Sequence, residues 1–194
     1  MDLQLKGKTA LITGGSHGIG LSIAKLLGEE GCNVVICSRD ESKLRYALDE
    51  LKESNIKALY LKADVTDPQD IKDVVIQSVG FFGTIHILIN NVGGGGRWGS
   101  ENILETPIDT WLEVYNKNMG AATRFTLEVL PYMKNQNWGR VITITSTLGK
   151  EGGGRPWFNV AKVAETVLMK NLAMHKDLVR HNITFNSVAP GCIM

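Results

Sequence analysis

The chain has 194 residues, 43% of them hydrophobic, with 21 basic side chains against 20 acidic ones. That length supports one sizeable core, and a net charge of +1 without a long like-charge block argues against a surface built for nucleic acid or for an anionic membrane. The opening MDLQLKGKTALITGG has no basic stretch followed by a signal-length apolar run, and no segment is long enough to span a bilayer, so a soluble cytoplasmic protein is expected. Cys32, Cys37 and Cys192 are odd in number and lack metal-type spacing; no metal site is expected, and the first two, around a predicted strand, read as small core thiols.

The first predicted strand is TALITG, at 9–14, and it runs into TGGSHGIG and a helix over 18–30. NVVICS, ALYLKA, IHILIN, RVITITS and ITFNSVA follow as further short β-branched runs, separated by helical patterns at 41–54, 68–80, 107–134 with a break near Gly120, and 157–176. Asp67 and Pro68 have the positions of an N-cap and a first helical residue. Strict alternation of strand and helix predicts a parallel sheet covered on both faces. The fold expected is α/β, a doubly wound Rossmann-type sheet in three α/β/α layers, with strand order 3-2-1-4-5-6. The glycine runs 93–96 and 152–154 follow the fourth and fifth strands, at the carboxyl ends where such sheets bind ligands.

In TGGSHGIG, Gly14, Gly18 and Gly20 allow close approach of a pyrophosphate to the backbone, at a helix N-terminus that favours anions. A tight strand-to-helix turn without a ligand is the alternative, and the strand before and helix after favour the dinucleotide. His17 reads equally as a phosphate contact or as a solvent-facing ring. The second strand ends VVICSRDE; Arg39 beside Ser38 suits a ribose 2′-phosphate, which favours NADP(H) over NAD(H), while Asp40 has the position of an N-cap for the helix beginning near Glu41.

Four further stretches narrow the reading: KADVTD with Asp64, ILINNVGG with Asn90, Asn91 and Gly93, YNKNMG with Asn118, and ITITS ending at Ser146 ahead of Lys162. With TGGSHGIG and the closing NSVAPG, they resemble the short-chain dehydrogenase/reductase family along nearly the whole chain, and within it the β-ketoacyl-acyl-carrier-protein reductase-like branch. The resemblance implies a hydride transfer between NADP(H) and a small-molecule carbonyl or alcohol substrate. It implies a cofactor site at Gly14, Ser16, His17, Gly18, Ile19, Gly20, Ser38 and Arg39, continued by Asp64, Val65, Asn90, Gly93, Lys162, Pro190 and Gly191. Asp64 would accept from the adenine amino group and Asn90 would steady the loop and strand contacts; turn-capping is the alternative for both. Ser146 would donate to the substrate oxygen, Lys162 would bind the nicotinamide ribose, and Asn118 would interrupt its helix to hold a water connected to Lys162. The branch also implies a homo-oligomer, dimer or tetramer, through helices near 107–134 and 157–176.

Two features depart from the family pattern. Where it has Y-x-x-x-K, this chain has FNVAK, so Phe158 keeps the ring and lacks the proton that a phenol gives to the substrate oxygen. Tyr115 and Tyr132 do not have the helical spacing to Lys162. A natural variant with a substitute donor, a silent relative that only binds the cofactor as a sensor or scaffold, and a deliberate near-isosteric replacement all remain open. The second departure is at the end: members of the family continue beyond a sixth strand through a segment covering the substrate. Residues 1–194 are therefore expected to form one dinucleotide-binding domain without that segment.

Overall fold

A computed structural model describes residues 2–191; Cys192 lies outside the described residues. Six strands, β1 (Thr9–Thr13), β2 (Asn33–Ser38), β3 (Ala58–Lys62), β4 (Ile87–Asn90), β5 (Gly139–Ile144) and β6 (Ile183–Val188), form one sheet in the order β3-β2-β1-β4-β5-β6. All five pairings are parallel, as the alternation of elements predicts.

Register lines up Leu59, Val35, Leu11, Leu88, Val141 and Phe185 in one row across the sheet. This row packs on α3 (Pro68–Phe82), α5 (Ala121–Asn135) and α6 (Pro156–Ala173), through Ile71, Val75, Phe125, Val129 and Met169. Side chains one residue along point to the other face, where Ile12, Val34, Ile36 and Ile89 meet α1 (Gly18–Glu29) and α2 (Glu41–Glu53) through Ala24, Leu44 and Leu51. Because both faces are covered, the central strands read as unbroken apolar runs; each fully buried Leu, Ile or Val contributes roughly 1.5–3 kcal/mol. Asp67 caps α3 by accepting from Gln69 N–H at 2.7 Å, and Asp40 caps α2 by accepting from Lys43 N–H at 3.1 Å.

Three boundaries differ from expectation. The helix over 107–134 does not break at Gly120: α4 (Ile108–Tyr115) passes through a π-helical turn, Asn116–Gly120, directly into α5, and Gly120 keeps helical angles. A widened turn accommodates one extra residue without ending the helix. The last helix stops at Ala173 and a separate short one, α7, follows at Lys176–Val179. Finally, His86 stands before β4, where its Nδ1 accepts the Thr9 N–H at 3.0 Å. No described helix is long and apolar enough to cross a membrane, and the described residues hold no cluster of three His, Cys, Asp or Glu side chains able to hold a metal ion.

Candidate functional site

At the carboxyl end of the sheet the turn from β1 into α1 opens on a cleft of about 790 Å³. Gly14 takes φ of +66°, and its N–H donates to the Cys37 carbonyl at 2.8 Å. Gly20 is where the turn closes: a Cβ there would stand 2.6 Å from Asn91 Nδ2 and closer still to the Gly14 carbonyl oxygen. Asn91 is the stitch, donating to the Thr13 and Gly14 carbonyls at 2.9 and 3.2 Å. His17 occupies the N-cap position of α1 without a side-chain cap, and the first turn carries no acidic residue. The partial positive charge of that helix end therefore faces the cleft unopposed. Ser16 Oγ and His17 Nδ1 lie 3.0 Å apart beside it.

The far end of the cleft is lined by Ser38, Arg39, Asp40, Lys43, Asp64 and Val65. Arg39 is exposed, with its guanidinium 3.8 Å from Asp64 Oδ2. Asp64 uses its other oxygen to accept from the Thr66 N–H and hydroxyl, at 2.9 and 2.7 Å. Burial disfavours the Asp64 carboxylate, but the Thr66 bonds and the Arg39 charge outweigh it and hold its pKa below the usual range.

The glycine run after β4 is fastened to the π-turn by one side chain. Buried Asn118 donates to the Gly94 and Val114 carbonyls at 2.9 and 2.7 Å and accepts from Gly94 N–H at 3.2 Å. The Trp157 indole N–H donates to Gly95 O at 3.2 Å, tying the same run to α6. A Cβ on Gly93 would lie 2.7 Å from Asn118 Oδ1 and 2.9 Å from Lys162 Nζ. Gly93 also lines the cleft, so it is where the cleft and the Lys162 group meet.

Lys162 is buried and donates to Glu165 Oε2 at 2.9 Å and to the Ile144 carbonyl at 3.1 Å. Burial pushes the Glu165 carboxyl up, with Lys162 opposing. The Phe158 ring centroid stands 5.7 Å from Lys162 Nζ, and the ring lies against Gly96. Ser146 follows β5 and accepts from Leu148 N–H at 3.2 Å, which leaves its hydroxyl proton free to be donated. Thr147 N–H donates to Pro190 O at 3.1 Å, and so brings Pro190 and Gly191 to this end of the sheet.

Gly14, Ser16, His17, Gly18, Ile19 and Gly93 thus line one cleft with Ser38, Arg39, Asp64 and Val65. Gly20 lies behind the turn rather than on its surface. Asn90 is buried, and its amide donates to Thr126 and Thr143 hydroxyls at 3.1 and 3.3 Å, so it joins β4, α5 and β5, while the next residue reaches the turn. The sequence reading named Asn91 without a role and missed Lys117, Trp98 and Glu165. For Glu165 the signal was present, a carboxylate three residues after Lys162 on one helix.

A nicotinamide dinucleotide suits this arrangement: an uncapped helix N-terminus with no acidic residue in its first turn, and Arg39, Lys43 and Lys117 on one cleft with Asp40, Asp64 and Glu113.

The sequence matches the short chain dehydrogenase family over residues 8–194. It is 34% identical over 190 residues to a putative ketoacyl reductase of Streptomyces coelicolor, covering 96% of this chain and 70% of that one. It is 29% identical to the 7alpha-hydroxysteroid dehydrogenase of Escherichia coli, covering 100% and 74%. Among solved structures, actinorhodin polyketide ketoreductase with NADPH is similar with a TM-score of 0.90 and 35% identity, covering 100% of this chain and 73% of that one. NAD+-bound xylitol dehydrogenase is similar with a TM-score of 0.90 and 29% identity, over 97% and 71%. The chain belongs to the short chain dehydrogenase family.

Proposed function

We propose that this chain is one dinucleotide-binding domain, that it binds NADP(H), and that it serves hydride transfer with a carbonyl or alcohol substrate, either a 3-oxoacyl thioester or another small ketone. The observation that carries the reading is Gly93, which lines the cofactor cleft and lies in contact range of both Asn118 and Lys162. Arg39 supports the choice of NADP(H), since its exposed guanidinium offers a charge-assisted contact that only a 2′-phosphate can take up.

When bound, a nicotinamide would supply or accept the hydride at this cleft. Ser146 directs its hydroxyl proton to the substrate oxygen, and Lys162 places a positive charge close by. Asn118 fixes the glycine run against the site. A water held between it and Lys162, or Ser146 itself, would be the substitute proton donor that the absent phenol calls for. A positioned general acid is worth about 10²- to 10⁴-fold in rate, so Phe158 lowers turnover while the cofactor cleft stays intact. Exposed Tyr115, Val160, Val163 and Val167 on α4 and α6 make the surface for a second copy of the chain in a homo-oligomer.

A second reading, a cofactor-binding sensor or scaffold without redox turnover, is favoured by Phe158 and by Glu165, which offsets the charge of Lys162. NADPH titration followed by a panel of ketones and 3-oxoacyl thioesters separates the two. Binding together with NADPH oxidation supports the reductase; tight binding without oxidation, in both the parent and Phe158→Tyr, supports the sensor.

A further inference from the structure

Lys117 is the one cleft-lining cation on the wall formed by the π-turn, and the reading above gives it no task. Its position follows from local geometry. The extra residue of the turn sends Asn118 inward to clasp Gly94, and the preceding side chain passes over that glycine, where a Cβ would lie 3.6 Å from Lys117 Nζ. The ammonium ends on the face of the Trp98 indole, 4.5 Å from the ring centroid. Among the described residues no carboxylate lies within salt-bridge distance of it; Glu113 and Asp64 act on it only from further away. Trp98 and Glu113 line the same cleft.

Partial burial, followed by repulsion from Arg39, lowers the Lys117 pKa. Arg39 and Lys117 line one cleft and repel each other; the Asp64 carboxylate that acts on both is already bonded to Thr66, and Glu113 acts on Lys117 only from further away. An ammonium on an indole face is desolvated and held in place while keeping donors for an anion.

We propose that Lys117 is a phosphate-binding residue of the cofactor cleft, whose ammonium turns from the Trp98 indole to a phosphate oxygen of the dinucleotide's adenosine half, opposite Arg39. The inference rests on the NADP(H) reading and adds a residue and a closing movement to it. The glycine-rich turn and Arg39 then hold the cofactor from one wall, and the π-turn holds it from the other. Departure of the cation also alters the surroundings of the Trp98 indole, so binding changes its emission.

The test is equilibrium titration of the chain with NADPH, NADH and 2′,5′-ADP, followed by calorimetry and by tryptophan fluorescence, at 20 and 300 mM salt, for the parent, Lys117→Met and Lys117→Arg. Loss of a charge-assisted hydrogen bond predicts roughly ten- to a hundredfold weaker NADPH binding for Lys117→Met at low salt, and a much smaller loss for Lys117→Arg. The difference shrinks at high salt, which a loop-packing effect would not do. Loss shared by NADPH and NADH assigns the pyrophosphate; loss confined to NADPH and 2′,5′-ADP assigns the 2′-phosphate. Lys117→Met that binds every probe within twofold of the parent, or a loss insensitive to salt and equal in Lys117→Arg, overturns the proposal and leaves Lys117 as a strap for the loop. A parent that binds neither nucleotide removes the NADP(H) reading itself, and this inference with it.

Discussion

Glu165 Oε2 accepts a hydrogen bond from Lys162 Nζ at 2.9 Å, with the two side chains only 1% and 4% exposed. A buried pair of this kind is costly to break from one side, because the survivor is left as an uncompensated charge. Lys162→Met is therefore expected to lower unfolding stability by about 3–5 kcal/mol, whereas Lys162→Met combined with Glu165→Leu costs far less. Urea denaturation of the two single variants and the double variant gives the coupling; additive losses would mean the pair is not mutually dependent.

The same carboxyl gives a pH signature. Its folded pKa is raised above the ordinary 4.5, chiefly by burial, with Lys162 acting in the opposite sense. A raised value means folding favours the protonated form, so this contribution is complete below 4.5 and is lost as pH rises through the folded value. Urea midpoints measured upward from pH 4.5 should show a downward component in the parent that Glu165→Gln lacks.

His86 works in the other direction. Burial and then the Lys8 charge push its imidazole down from 6.5 to about 4. The neutral ring, accepting from Thr9 N–H, is the folded form, so its stabilisation is whole above pH 6.5 and is lost as pH falls towards 4. His86→Gln, with a carbonyl acceptor that does not titrate, is expected to flatten the acid limb of the stability curve.

Phe158→Tyr is expected to raise carbonyl reduction by NADPH at least about tenfold, the cautious end of what a positioned acid contributes. The ring already fits against Gly96 and near Lys162, so one hydroxyl adds little strain. Steady-state rates for the two proteins on one ketone decide it; equal, brisk turnover would assign the proton to another group.

Arg39→Ala should weaken NADPH about tenfold or more relative to NADH, because the charge-assisted contact to a 2′-phosphate disappears. Equal losses for both nucleotides in a binding titration would remove Arg39 from cofactor choice. The loss of its 3.8 Å contact with Asp64 is a minor matter, since the guanidinium is largely solvated and the carboxylate partly so.

Much of this was legible in the chain because strands such as NVVICS are apolar on both faces and end in punctuation, SRDE or TGGSHGIG, that fixes where a helix begins. Asp40 and Asp67 carry the cap chemistry that their positions announce. The π-turn was legible as a break near Gly120 and, through the resemblance, as an interruption at Asn118, but not as a widened turn; the widening comes from Asn118 finding Gly94, 24 residues earlier. Asn90 and Asn91 are chemically identical neighbours, and the pleat of β4 alone decides which faces the core and which the turn.

The extra residue between α4 and α5 also sets helical phase. Successive α-helical residues turn by about 100°, so one inserted residue rotates everything after it relative to everything before. Trp111 and Val114 can then face Trp157 of α6, while Phe125, Val129 and Met133 face the sheet, two directions that one uninterrupted helix would hold at a fixed and different angle. A single-residue deletion within 116–120 would restore the regular repeat and force a choice between the aromatic cluster and the core. It would be far more damaging than any substitution in the segment, and a suppressor would have to be an insertion in the same turn.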